Sequence, residues 1–223
     1  MHHSKSRKIL IYFFLFIIIG TLNNKNLDKI NLIKINTIKV SGLSEKKNDE
    51  LTYRLDFLKI GNMFFTKKNE ITQIINSYNL VEEFSVFKNY PSTLDIQIKK
   101  TKFLAQLKRE DGNFLLGSNG KLTKINESKP GVPFIFGDFE NKNFFELKEA
   151  IEKTSFEFEQ IKNLFFFKSG RWDLETNTGI LIKLPRDEVY ESINLFFQIL
   201  EDNQFKDIKL IDLRQNKQMI INE

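Results

Sequence analysis

The sequence predicts an α+β protein: an N-terminal transmembrane helix, a small strand–helix–helix–strand–strand domain, and an antiparallel β-sheet domain with helices. Three observations carry that expectation. Ile9 to Leu22 is an uncharged apolar run of 14 residues. Between residues 35 and 101 the hydrophobic period switches from two to about 3.6 and back again. Residues 102–223 contain many short strand-like segments and two helical ones. With 223 residues, 41% of them hydrophobic and 28% charged, a packed core in one large or two small domains is expected.

Residues 1–8 form a basic tail, SKSRK preceding the apolar run ILIYFFLFIIIGTL. As a helix that run is about 21 Å long against a hydrocarbon core of about 30 Å. It reads as an uncleaved anchor over 9–22, because GTLNN offers no small-x-small cleavage site and Lys8 can snorkel outward. A cleaved secretory signal and a buried helix are the competing readings. The Lys/Arg excess before the run places the N-terminus in the cytoplasm and the rest of the chain outside it.

Residues 23–34 are a polar linker. In IKINTIKVSG, Ile33, Ile35, Ile38 and Val40 alternate with polar residues up to Gly42, as in a strand and its turn. Ser44 is placed to cap a helix through Leu51, Leu55 and Leu58, ended by KIGN, and Thr66 to cap another with Ile71, Ile74 and Ile75. VEEFSVFKNYP and STLDIQIKK then alternate as two strands around Tyr90-Pro91-Ser92.

The second domain, 102–223, has helical spacing at Phe144, Leu147 and Ile151 and again at Val189, Ile193, Phe196, Phe197 and Leu200. Helices packed on one side of an antiparallel sheet fit this pattern. LFFFK, 164–168, reads as a central strand buried on both faces, with a docking patch as the alternative. Trp172 reads either as a core aromatic or, with Arg171, as half of a partner contact. The chain closes with KLIDLR and KQMIIN, two strands about Gln215-Asn216.

Composition excludes much chemistry. There is no Cys, and the only two histidines are His2 and His3, so disulfides, thiolate sites, serine triads and His-ligated metals are not expected in the folded part. The ten glycines show no phosphate-loop spacing. Three of the five net positive charges are Lys5, Arg7 and Lys8, which leaves little basis for nucleic-acid binding. The run Lys99, Lys100, Lys102 reads as a solvated edge, with anionic lipid as the other option. Glu82-Glu83, Asp173 with Glu175, Asp187-Glu188 and Glu201-Asp202 read as solvated acids. No catalytic, cofactor-binding or metal residue is assigned.

IKVSG, GNMFF and KNYPSTLDIQI, in that order, resemble a POTRA domain over 35–101, in the form found in the bacterial cell-division family FtsQ/DivIB. FLAQL, NFLLGSNGKL, PGVPFIFG, RWDLETNTGILIKLP and IDLR resemble the segments that follow in that family. Lys100, Phe103, Gly117 and Gln215 depart from its usual residues. The resemblance implies a non-enzymatic scaffold at the septum, single-pass in the inner membrane with periplasmic domains. It also implies FtsB and FtsL as bitopic partners, other divisome membrane proteins around them, and a link to septal wall synthesis. A POTRA-bearing subunit of a secretion or outer-membrane assembly complex and a signal-anchored hydrolase are the alternatives.

The expected partner-binding set is Arg171, Trp172, Gln215, Lys217, Gln218, Met219, Ile220, Ile221 and Asn222. The last six form a terminal strand whose outer edge is expected to accept a strand from FtsB, the alternative being an edge covered by the protein's own loop. About six hydrogen bonds at a net ~0.5–1.5 kcal/mol, plus ~1.5–3 kcal/mol per buried Met or Ile, barely meet an association cost of ~4–15 kcal/mol. Tethering both proteins in one membrane raises effective concentration and tips the balance.

Overall fold

A computed structural model describes residues 3–22, 34–64, 66–200, 208–215 and 220–222. The chain divides into two compact units, 1–100 and 101–223.

In the first unit, helix α1 spans His3–Leu22. Its large apolar side chains from Ile9 to Ile17 and at Ile19 are exposed, Phe16 at 75% and Leu10 at 67% among them, while Ile18 is half-buried. Among the described residues no helix is long and apolar enough to cross a membrane. Lys5, Arg7 and Lys8 occupy the first turns of α1, and the 14 uncharged residues after them fall short of the ~20 that a span requires.

Strand β1 (Thr37–Ser41), α2 (Glu45–Arg54), a 3-10 turn (Asp56–Ile60), α3 (Lys68–Asn76), β2 (Val81–Asn89) and β3 (Thr93–Lys100) follow. The sheet order is β1-β3-β2, with β1 parallel and β2 antiparallel to β3. Leu51, Leu55 and Ile75 from the helices meet Ile38, Leu94 and Ile96 from the sheet in one core. Gly42 ends β1 at φ 108°, where a Cβ would stand 1.8 Å from the Ile98 carbonyl oxygen; only glycine lets the chain pass β3 this closely. Ser44 is the residue before α2, but it makes no side-chain cap, and Asn48 instead holds both backbone groups of Leu43. The second helix starts one residue later than expected: Lys67 is its N-cap, because the Thr66 hydroxyl is donated to the Asn62 carbonyl at 3.0 Å.

The second unit contains β4 (Phe103–Arg109), β5 (Gly112–Gly117), β6 (Leu122–Ile125), β7 (Phe134–Phe136), α4 (Asn141–Glu152), β8 (Ile161–Phe166), β9 (Trp172–Thr176), β10 (Leu181–Lys183), α5 (Val189–Leu200), β11 (Leu210–Asp212) and β12 (Ile220–Asn222). They form a single sheet of nine strands in the order β12-β11-β10-β9-β8-β7-β4-β5-β6.

The sheet is mixed rather than antiparallel: β4 with β7, β7 with β8, and β10 with β11 are parallel pairs. Two of those pairs are joined through a helix, β7-α4-β8 and β10-α5-β11. Both crossovers step the same way across the sheet between strands of the same direction. The right-handed rule therefore puts α4 and α5 on the same face. There Phe144, Leu147, Ile193 and Phe196 pack on Leu107, Ile135, Leu164, Leu174, Ile182 and Ile211.

This one-sided arrangement corrects the reading of LFFFK. Leu164 and Phe166 of β8 turn to the helices, but Phe165 turns to the opposite face, half-buried, and stacks at 5.1 Å on Phe136, which is 44% exposed. No described helix covers that side.

Candidate functional site

The C-terminal end of the sheet is built from the sequence's own alternation. In β11, Ile211 is fully buried against the helices, while Leu210 and Asp212 face away. β12 runs antiparallel to it with Leu210 opposite Asn222, Ile211 opposite Ile221, and Asp212 opposite Ile220. Ile221 therefore packs on the core, and Ile220 lies on the open face at 51% exposure. β12 ends the sheet, and among the described strands nothing pairs with its outer side.

On the open face, register assembles a charged row. Asp173 of β9 is opposite Lys183 of β10, which is opposite Asp212 of β11, which is opposite Ile220 at the edge. Arg214 forks onto Asp212, with Nε 2.8 Å from Oδ1 and 3.0 Å from Oδ2. Those hydrogen bonds hold the Asp212 carboxyl below its ordinary range and the Arg214 guanidinium above its own. Asp173 is only 4% exposed, and burial pushes its carboxyl up against the pull of Arg171, Lys183 and Arg214. Arg171 brings Nε to 3.6 Å from Asp173 Oδ1, too long for a hydrogen bond, and lays its guanidinium over the Phe167 ring at 4.2 Å.

Beside this row, Pro185, Arg186, Glu188, Leu195, Leu213 and Gln215 line an open cleft of about 660 Å³. Glu188 stands there at φ 59°, a backbone conformation uncommon outside glycine.

The predicted contact residues are thus only partly brought together. Arg171 shares the open face with Ile220 and Asn222, and Gln215 lines the cleft. Trp172 does not join them: at 4% exposure it alternates to the helix side and packs its ring on Phe166 and Phe139, as its core reading expects. Ile221 is split between roles, half-buried and turned to the core. Lys217, Gln218 and Met219 lie outside the described residues.

The row Asp173–Lys183–Asp212 and its Arg214 clamp escaped sequence reasoning. Alternation in WDLET and IDLR puts each acid on the face opposite a buried leucine, but only strand register makes the acids neighbours. Among the described residues no group of three or more Asp, Glu or His is arranged to hold a metal.

Residues 33–100 match the FtsQ-type POTRA domain, and residues 105–214 match the FtsQ/DivIB cell-division C-terminal domain. The chain belongs to the FtsQ/DivIB family. It is 24% identical over 150 residues to the cell division protein FtsQ of Rhizobium meliloti (strain 1021), a match covering 65% of this chain and 48% of that protein. The chain thus aligns with about half the length of that curated FtsQ relative. The FtsQ/DivIB C-terminal match closes at Arg214 and so includes β11 with its IDLR but not β12.

Proposed function

We propose that the chain is a non-enzymatic scaffold of the bacterial divisome, linking FtsB- and FtsL-type bitopic proteins to the septal wall-synthesis machinery. Family membership supports a role in division. In this reading residues 9–22 are held in the inner membrane, with the N-terminus cytoplasmic and both domains periplasmic. The support is α1 itself: Lys5, Arg7 and Lys8 occupy its first turns, the residues from Ile9 onward are uncharged, and its large apolar side chains from Ile9 to Ile17 and at Ile19 are exposed.

The observation that carries the partner reading is the terminal position of β12. Its backbone ends a nine-strand sheet with one side unpaired among the described strands, so an FtsB strand adding there continues the ladder. The incoming strand lies beside Ile220 and Asn222, next to the Lys183–Asp212–Arg214 charges, and Gln215 and Arg171 are the remaining polar contacts. The test is co-purification of FtsB with the membrane-anchored protein. Ending the chain after Asn216, or replacing Ile220 by Pro, abolishes recruitment while the POTRA unit keeps its protease resistance. Wild-type recruitment by a folded truncated chain excludes β12 as the interface.

A further inference from the structure

From Lys34 on, the first unit receives the chain at one end. Lys34 bridges to Asn62, and the Asn36 and Thr37 amides donate to the Ser92 carbonyl at 2.9 and 3.2 Å. The chain therefore enters between the link that precedes α3 and the turn that joins β2 to β3. Apolar side chains crowd around that entry without being buried. Ile60 is 82% exposed. Phe64 and Tyr90, each two residues from one of the contact points, are both more than half exposed, with their rings 5.5 Å apart. At the other end of the same sheet Tyr78, Val81 and Ile98 are buried. Three large exposed side chains gathered in one place mark a contact surface, where single scattered ones do not.

The charge around them has one sign. Residues 34–36, 56–70 and 88–92 hold five lysines against Asp56 and Glu70. Lys59 is paired with Asp56 at 2.5 Å, while Lys34, Lys67, Lys68 and Lys88 are exposed around the apolar cluster. Aromatic rings flanked by lysine suit the headgroup layer of a bilayer that contains anionic lipid.

The length of chain before Lys34 decides what this surface meets. Residues 23–33, 11 in number, separate it from the end of α1 at Leu22. Fully extended they span at most about 40 Å. With residues 9–22 in the membrane, the entry end stays close to the lipid surface at high effective concentration, so a weak contact suffices to hold it there.

We propose that the entry end of the first unit, Ile60, Phe64 and Tyr90 with their surrounding lysines, rests on the anionic surface of the bilayer that holds α1. The inference rests on the membrane anchoring proposed above. The strands of the first sheet then stand on the membrane, and Lys100, where the chain leaves the unit, is held roughly 25 Å above the headgroups.

The chain contains no cysteine, so a single introduced thiol carries a fluorophore to one chosen place. The full-length protein is reconstituted into vesicles of phosphatidylethanolamine and phosphatidylglycerol after labelling at Asn89→Cys or, at the opposite end of the sheet, Lys100→Cys, both exposed positions. Lipid carrying a nitroxide on its headgroup is expected to quench the label at 89 and to leave the label at 100 bright. Ile60→Ser with Phe64→Ser, and separately Lys67→Glu with Lys68→Glu, are surface changes whose fold is checked by a thermal scan. Each pair is expected to bring quenching at 89 down to the level at 100. Flotation of the same vesicles reads the anchor separately. Protein that floats but shows equal quenching at 89 and 100, or quenching at 89 that ignores either double substitution, overturns the bilayer contact and leaves the anchor standing. Protein that does not float removes the anchor and the contact with it. Quenching at 89 that appears only when a second membrane protein is added assigns the surface to that protein and overturns the proposal.

Discussion

Two adjacent isoleucines in β12 face opposite ways, and replacing each by alanine separates folding from recruitment. Ile221 lies across from the fully buried Ile211 and packs on the core of the second unit. Complete burial of an isoleucine makes its truncation cost ~2–5 kcal/mol, through lost transfer energy and the cavity left behind. Ile221 is half-buried and sits on an edge strand that can relax, so Ile221→Ala is expected to cost ~1–2 kcal/mol. For a unit of this size that lowers Tm by roughly 3–6 °C. Ile220, 51% exposed on the open face, contributes little to the isolated fold, and Ile220→Ala is expected to stay within ~0.5 kcal/mol of wild type. At the proposed interface the order reverses. Covering the exposed half of Ile220 is worth ~1 kcal/mol, about a fivefold change in affinity. The assay pairs a thermal scan of the full-length protein with a titration of FtsB against the same preparation. If Ile220→Ala lowers Tm as much as Ile221→Ala does, or leaves FtsB affinity unchanged, the facing of β12 or its role is wrong.

Two further outcomes follow from the same sheet. Gly137 follows β7 at φ 101°, where a Cβ would stand 2.2 Å from the Phe166 carbonyl oxygen. Gly137→Ala is expected to abolish cooperative unfolding of residues 101–223, while Gly179→Ala, at φ 89° but in open space, costs only ~1 kcal/mol, both read by chemical denaturation. Asp173 has its folded pKa raised by burial above the ordinary 3.8, so its ionisation opposes folding. As pH rises from about 4 through the raised value, the unfolded chain releases this proton first and stability falls. Asp173→Asn removes that decline. The stability difference, wild type minus variant, is expected to fall across that window, whereas a flat or rising difference refutes the assignment. Asp212, lowered by Arg214, acts in the opposite sense, losing its stabilising contribution only as pH falls through its depressed value, and it does so in both proteins.

Much of the architecture was legible in the sequence because it depends on local periodicity. The order of elements from β1 to β3, the helix faces at Leu51–Leu55 and at Phe144–Leu147–Ile151, and the strands at Leu210–Asp212 and Ile220–Asn222 each follow from apolar spacing within one segment. Glycine did the same at Gly42, where the sequence marks a turn and the structure supplies the reason in the Ile98 carbonyl. Only the tertiary structure decided the rest, and the reason is that pairing partners are distant in sequence. Nothing in WDLET says which of its faces the helices cover, so Trp172 reads as a core aromatic or as a contact until α4 and α5 take one side of the sheet and bury it. Strand direction is likewise a property of connections: two crossovers through helices join parallel pairs within a sheet that the segments alone led one to expect antiparallel. The row Asp173–Lys183–Asp212 joins residues up to 39 positions apart, and it exists because three strands align in one register and end at Ile220.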